Sequence, residues 1–367
     1  MKVTCNRAAL HEAIQLASSI VPSRTPKPVL QCAKLDFDQQ EKKLTVLATD
    51  NEISIKYTVP QVQVLSSGSA VVPAERLAAI LHETTDETVD LEVTGTTCQI
   101  CGKDSRFRIY GQEPGDFPVV GPMGQEKGIE VKAGVLRRLI HLTAFAAARE
   151  NTRYAINGVL WEQRGKKLRM VATDGRRLAR VDGEVISDEK GTERNAVVSI
   201  KAMLVLERIL TDPDETIHVA FTENQVFTRT ALVEVAGNLV QGRFPKYEDV
   251  IPTGCDKKVQ IQSEGLRSAV RRTALLTNEQ SRGIQLSFSG ENLCFSSNTP
   301  EAGEAEINMK VEYQGAPLKV GFSPQYLLDM LRVVDEAEVT FEFVDGSKPG
   351  LMRAGRDFLY VIMPVSV

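Results

Sequence analysis

No apolar run in this 367-residue chain approaches the roughly 18 consecutive residues a membrane-spanning helix needs, which excludes a helical membrane protein. The N-terminal stretch MKVTCNRAALHEAIQLASSIV has a lysine but no continuous apolar core. Its spacing reads as a strand and then an amphipathic helix, so no signal peptide is expected and the predicted compartment is the cytoplasm. Cysteine is scarce: the 6 residues at 5, 32, 98, 101, 255 and 294 do not make a disulfide framework in a chain of this size. Cys98 and Cys101 form one C-x-x-C, but no second Cys or His pair follows at ligand spacing, and DLEVTGTTCQICGKDSRFRIY around it alternates like a strand. His11, His82, His141 and His218 fall in no H-E-x-x-H or other metal pair, so neither metal nor cofactor is expected. G-x-S-x-G and G-x-G-x-x-G are missing, and GKDS at 102–105 lacks the first glycine of a phosphate loop because position 97 is Thr.

Net positive charge is lacking too. Lys and Arg number 44 against 48 Asp and Glu, a net −4, which by itself argues against nucleic-acid binding. What is present is the composition of a globular protein, 42% hydrophobic and 25% charged, with a length that suggests two or three domains.

The chain repeats itself. VLATDNEISIKY at 46–57 matches MVATDGRRLARV at 170–181, and a weaker third copy, LCFSSNTPEAGEAEI at 293–307, sets Ser296, Ser297 and Asn298 against Ala, Thr and Asp. An amphipathic helix pattern precedes each copy (6–21, 132–148, 263–277), and a strand followed by a second helix comes after it (70–82, 196–210, 319–331). Strand alternation closes each unit, and the first two end in the parallel phrases EPGDFPVV and GRFPKYEDVIP. The fold class predicted is α+β: three tandem modules, each with two helices against antiparallel sheet, over 1–124, 129–252 and 255–367. Three diverged copies in a row suit a ring, arc or array better than an enzyme.

The corner VATDGRRLARV at 171–181 runs from a strand through Thr173, Asp174 and Gly175 into Arg176, Arg177 and Arg180. Three readings are open for it: a catalytic acid with an electrostatic partner, a phosphate grip, or a hairpin turn. Asp50 occupies the same place in the first copy, and Asp after Thr in a β-turn is most simply a side chain bonded to its own backbone. Charge is unevenly distributed as well. The predicted helices 6–20, 74–82, 134–149, 201–210, 264–276 and 323–332 carry +6 together, leaving −10 for the remainder of the chain. Basic helices lining one face could meet phosphate; arginine is equally a good helix former on a solvated face.

TRYAINGVLWE, VATDGRRLA, GRFPKYEDVIP, TNEQSRGIQLSF and the terminal YVIMPVSV, in this order and spacing, resemble the bacterial sliding clamps over essentially the whole chain. These are the β subunits that tether the replicative DNA polymerase to its template. The resemblance implies the DNA clamp fold, a head-to-tail homodimer whose six modules form a ring around double-stranded DNA without sequence preference, with no catalysis and no cofactor. It implies a hydrophobic pocket for a short linear peptide from the polymerase catalytic subunit, clamp loader, ligase and repair proteins. Its wall would be Thr173, Gly175, Arg176 and Leu178, completed by Arg153, Ile156, Pro245, Val250, Pro349, Met363, Pro364 and Val365. Phe107 and Ile109 would face Leu275 and Leu276 across the dimer interface. DNA contacts would come from Arg24, Arg149, Tyr154 and Lys201, and further from Arg137, Arg138, Arg271, Arg272 and Arg282. The chain departs from the family in ending MPVSV without a basic residue, and in carrying Glu248 and Asp249 where basic residues are common; a less basic pocket rim is expected. Two rivals stand beside this reading: a hydrolase using the Asp and Arg of the turns, and a paralogous clamp serving repair or resistance.

Overall fold

A computed structural model describes residues 1–121, 127–150, 154–187, 193–277, 283–300 and 303–366. In the first repeat β1 (Lys2–Asn6) leads into α1 (Arg7–Ile20). Strands β2 (Cys32–Asp38), β3 (Lys43–Thr49), β4 (Ile53–Val59), β5 (Val62–Ser66) and β6 (Gly68–Pro73) precede α2 (Ala74–Glu83), and β7 (Thr88–Thr94), β8 (Thr97–Cys101) and β9 (Arg106–Tyr110) close it. The second repeat runs β10 (Gly128–Lys132), α3 (Ala133–His141), β11 (Gly158–Arg164), β12 (Lys167–Thr173), β13 (Arg177–Glu184), β14 (Arg194–Ser199), α4 (Ile200–Ile209), β15 (Thr216–Phe221), β16 (Gln225–Arg229) and β17 (Val233–Asn238). The third runs β18 (Lys257–Gln262), α5 (Ser263–Ala274), β19 (Ile284–Ser289), β20 (Asn292–Thr299), β21 (Gly303–Lys310), β22 (Leu318–Phe322), α6 (Pro324–Val333), β23 (Glu338–Phe343), β24 (Gly350–Ala354) and β25 (Phe358–Ile362).

The helices form where the apolar spacing demands. α1 buries Leu10, Ala13, Ile14 and Ala17 on one face. Asn6 caps it by accepting from the Ala9 N–H at 3.0 Å, a contact worth about 1 kcal/mol. α3 is shorter than the predicted 134–149 and stops at His141. Thr143 turns its hydroxyl back onto the Leu139 carbonyl at 2.7 Å, and the Phe145 carbonyl is taken by an arginine side chain, so the ladder is not continued. Arg149 therefore lies beyond the helix, in an exposed segment. Among the described residues no helix is long and apolar enough to cross a membrane.

The chain folds as two compact units, Met1–Gly134 with Leu204–Leu239, and Val135–Met203 with Val240–Val367. The first holds a five-stranded sheet, β5-β1-β7-β8-β9, and an eight-stranded sheet, β10-β15-β16-β17-β4-β3-β2-β6. The second holds β14-β11-β12-β13-β25-β24-β23-β18 and β21-β20-β19-β22. Repeats and units differ because the long sheets cross repeat boundaries. β17 of the second repeat pairs with β4 of the first, Val235 opposite Ile55, and β25 of the third pairs with β13 of the second, Tyr360 opposite Ala179. β4, β13 and β21 are the strands that follow each corner, and β9, β17 and β25 are the strands that end each repeat. The joint is thus made twice in the chain, while β9 and β21 are left as sheet edges.

Candidate functional site

β12 ends at Thr173 and β13 restarts at Arg177, so Asp174, Gly175 and Arg176 make the reversal. Gly175 sits at φ +85°, a region that only glycine enters freely. Thr173 Oγ1 donates to the Arg177 carbonyl at 2.6 Å and accepts from the Gly175 N–H at 3.1 Å. Asp174 Oδ1 accepts from the N–H groups of Arg176 and Arg177 at 2.9 and 3.0 Å. The first repeat builds the same turn: Thr49 Oγ1 donates to Ile53 at 2.9 Å, Asp50 Oδ1 accepts from Glu52 and Ile53 at 2.9 and 2.7 Å, and Asn51 stands at φ 74°. In the third repeat the sequence comparison sets Ser297 at the threonine position, and the structure moves the equivalence two residues on. There Thr299 ends β20 and its Oγ1 donates to the Leu276 carbonyl at 2.7 Å and, at 3.4 Å, to Gly303, while the Ser297 hydroxyl goes to the Thr273 carbonyl at 3.0 Å.

Where the first corner has Ile53, the second has Arg177, and this changes what the corner does. Arg177 Nε donates to Asp174 Oδ2 at 3.0 Å, Nη1 to Asp329 Oδ2 of α6 at 2.6 Å and Nη2 to the Phe145 carbonyl at 3.0 Å. Its guanidinium lies 4.6 Å from the Tyr326 ring centroid and 5.6 Å from that of Phe145. Burial opposes its charge, yet Tyr360, Asp329 and Asp174 outweigh burial and raise its pKa. Both oxygens of Asp174 are committed to this clasp, an arrangement that holds the second and third repeats together and does not poise an acid.

Beside the corner lies a cavity of about 210 Å³. Its floor is one face of the eight-stranded sheet, with buried Leu178 on β13 and Val361 on β25. Ile156, Thr173, Gly175, Arg176 and Arg177 line one side, Pro245, Lys246, Tyr247 and Val250 the other, and half-exposed Tyr154 and Met363 stand at its mouth. The Pro245 side is pinned through Tyr247, whose hydroxyl donates to Glu162 at 2.6 Å and accepts from Arg169 Nη1 at 3.2 Å. Arg169 in turn grips Asp182 through both oxygens at 2.6 and 3.2 Å, and Lys167 approaches to 2.9 Å. Burial works against ionised Asp182, but the hydrogen bonds from Arg169 and Lys167 prevail and hold its carboxyl below the ordinary value. Burial and the bond to Glu162 push the Tyr247 phenol well up, so it stays neutral as a fixed wall. An apolar hole of this size accepts a leucine-sized anchor, worth about 1.5–3 kcal/mol when fully buried.

Of the predicted pocket residues the structure brings together Ile156, Thr173, Gly175, Arg176, Leu178, Pro245, Val250 and Met363. Arg153 lies outside the described residues, as does the DNA candidate Arg282. Pro349, Pro364 and Val365 are not in the lining. After Met363, whose N–H bonds the Arg176 carbonyl at 2.9 Å, the chain runs to β22 and Val365 bonds Gly321 at 2.9 Å. Tyr154, expected from the resemblance as a DNA contact, also lines this cavity. The reading also missed Arg177, Lys246, Tyr247 and Val361, although Lys246 and Tyr247 belong to the quoted GRFPKYEDV phrase. The expected loss of basic character is confined to the outside: the lining carries Arg176, Arg177 and Lys246 and no acid, and exposed Glu248 and Asp249 are not part of it.

Among the other candidates, Arg24, Arg137, Arg149, Arg271 and Arg272 are exposed and Lys201 is half-buried. Arg138 is engaged with Glu336 at 3.8 Å. Phe107 and Leu275 are exposed, while Ile109 is buried and Leu276 half-buried. Cys98 faces the core, with its thiol pushed up to about 12 by burial and by Cys101; the two lie three positions apart on β8, on opposite faces, and do not converge on a ligand.

Family models of the DNA polymerase III beta subunit match the N-terminal domain at residues 1–121, the central domain at 130–246 and the C-terminal domain at 248–366. The beta sliding clamp of Pseudomonas aeruginosa is 35% identical over 370 residues, and that of Escherichia coli 30% over 370, each alignment covering 100% of both chains. The crystal structure of the Pseudomonas aeruginosa DNA polymerase III subunit beta has a TM-score of 0.92 to this fold at 34% identity, covering 100% of both. A sliding clamp from Bartonella birtlesii bound to griselimycin reaches 0.93 at 30% identity, again over 100% of each chain.

Proposed function

The chain belongs to the DNA polymerase III beta subunit family, and from that premise we infer that it is a sliding clamp that encircles duplex DNA in the cytoplasm and tethers the replicative polymerase, with no catalytic step of its own. Its modules are 1–124, 129–252 and 255–367, and two copies associate head to tail. The observation that carries the ring is the pair of open edges. The joint made by β4 with β17 and by β13 with β25 is left with one unused half on β9 and the complementary half on β21. A contact between unlike ends closes on itself when the rotation permits.

The edges match on both faces. On β9, Phe107 and Ile109 share the face of buried Ile100 and Cys98, leaving Arg106 and Arg108 on the other. On β21, Ala305 and Ile307 share the face of buried Ser297 and Phe295, leaving Glu304 and Glu306 outside. In the register that aligns the faces and sets opposite charges in pairs, Arg106 meets Glu306, Phe107 meets Ala305 and Arg108 meets Glu304, and Leu275 and Leu276 extend the apolar side. The joint between β4 and β17 likewise has an ion pair, Lys56 with Glu234 at 3.6 Å. Reversing Arg106 and Arg108 to Glu is expected to give a particle of one chain mass by sedimentation, and adding Glu304→Arg with Glu306→Arg to restore two. A quadruple variant that stays monomeric contradicts the pairing.

Arg24, Arg137, Arg149, Lys201, Arg271 and Arg272 supply weak phosphate contacts, which suit sliding because closure and not contact energy retains the DNA. The cavity beside Gly175 takes the apolar anchor of a partner peptide, from the polymerase, the clamp loader and repair proteins. Griselimycin, which the Bartonella birtlesii clamp binds, is expected to compete for it.

A further inference from the structure

His11 of α1 and His82 of α2 are far apart in sequence but adjacent on the first unit, with imidazole centroids 5.8 Å apart and ring planes tilted by 55°. A metal ion about 2.1 Å from one nitrogen of each ring, with a tetrahedral angle between them, sets two such centroids roughly 5 Å apart, close to the 5.8 Å seen. His82 Nδ1 lies 2.9 Å from Glu83 Oε1. A carboxylate on the other ring nitrogen is the orienting contact that metal-bound histidines commonly have. The nearby cation Arg7 is occupied, donating to the carbonyls of Asp86 at 3.2 Å and Leu81 at 3.3 Å.

The repeat gives a second, independent reason to single out these positions. The fifth residue of the first helix is His11 in α1, Arg137 in α3 and Arg267 in α5. The ninth residue of the second helix is His82 in α2, Arg208 in α4 and Arg332 in α6. In the third repeat this position reaches across the helix pair, since Arg267 donates to the Leu331 carbonyl next to Arg332. Where the other repeats place two permanent positive charges, the first places two imidazoles, and a divalent ion held between them restores a charge of +2.

We propose that His11 and His82 form an interhelical site for a borderline divalent transition ion, Ni²⁺, Co²⁺ or Zn²⁺, with water completing its coordination. Imidazole nitrogens select such ions over Mg²⁺ and Ca²⁺. Among the described residues no group of three or more His, Cys, Asp or Glu forms a metal cluster, so this is a two-ligand site of modest affinity. The inference does not depend on the clamp reading.

The test is calorimetric titration of Ni²⁺ into the full chain and into His11→Gln, His82→Gln, Glu83→Gln and His218→Gln, each first shown folded by circular dichroism. One ion is expected to bind the unaltered chain. Its affinity should fall more than about tenfold in either His11→Gln or His82→Gln, fall about tenfold in Glu83→Gln, where the ligands remain but their orientation is lost, and stay unchanged in His218→Gln. Ni²⁺ should also raise the thermal midpoint of the unaltered chain and not of the two ligand variants. No binding by the unaltered chain, or equal binding by it and both ligand variants, overturns the site.

Discussion

Replacing Arg177 with Met removes the cation that ties the corner to α6 while keeping most of its apolar stem. The side chains involved are only 9% exposed for Arg177 and 15% for Asp329, so the 2.6 Å pair sits largely out of water. Removing one partner of such a pair costs about 3–5 kcal/mol; Asp329 keeps Arg332 at 3.4 Å and Gln325 at 2.6 Å on its other oxygen, which sets the low end of that range, and the ring contacts with Tyr326 and Phe145 add about 0.5–1 kcal/mol. The Asp174 contact at 3.0 Å is lost as well, though Asp174 keeps its two backbone donors. The expected loss is about 4 kcal/mol. Asp329→Asn in the same chain removes the charge left facing the lost guanidinium, so the double variant should recover about 1–2 kcal/mol as coupling. The chain has 1 tryptophan. Trp161 is buried on β11 of the same sheet, its Nε1 donating to Met203 Sδ at 3.3 Å. Its fluorescence during urea denaturation therefore follows this unit. A single-variant loss below about 1 kcal/mol, or strictly additive losses, refutes the clasp.

The remaining predictions use the same readout or a ligand. Gly175→Val should cost on the order of 1–2 kcal/mol from backbone conformation alone, since a Cβ there meets nothing within 4 Å, and Gly175→Asn should cost less because Asn51 holds the equivalent place at φ 74°. Equal losses for the two would contradict that cause. Met363→Asp places a charge at the half-exposed mouth of the cavity and should weaken griselimycin binding roughly ten- to hundredfold by calorimetry, with the melting curve unchanged. Asp182 has a lowered folded-state value, so it binds a proton less readily folded than unfolded. Its stabilisation is present above the ordinary aspartate value of 3.8 and lost as the pH falls through the folded one, and the gap in stability between the unaltered chain and Asp182→Asn should close in acid. A gap that persists at the lowest pH where the chain is folded would remove the ion pair as its source.

Much of this molecule is legible in its sequence because repetition multiplies weak signals. One A-T-D corner is only a turn, but two at matching places between matching helix patterns specify a module. The cavity is legible in part for the same reason: GRFPKYEDV and the segment before MPVSV both supply its walls. What escaped depends on contacts between distant positions. Arg177 looks like one of three solvated arginines until Asp329 and Tyr326 of α6 are beside it. Tyr154, a DNA contact by the resemblance, lines the cavity as well, a placement no spacing along the chain announces. The third corner was set two residues early because Ser-Ser-Asn resembles Ala-Thr-Asp in composition, whereas β20 runs on to Thr299. His11 and His82 fit no spacing rule, since the packing of two helices and not the spacing along one brings them together.

Retention on DNA tests the account most directly. The protein is loaded on a nicked circle, washed at moderate salt, and the circle is then linearised. A closed ring of two chains predicts retention before cutting and release after it, with the Arg106 and Arg108 reversal abolishing retention from the start. Equal retention on circle and line would contradict encirclement and leave ordinary contact binding in its place.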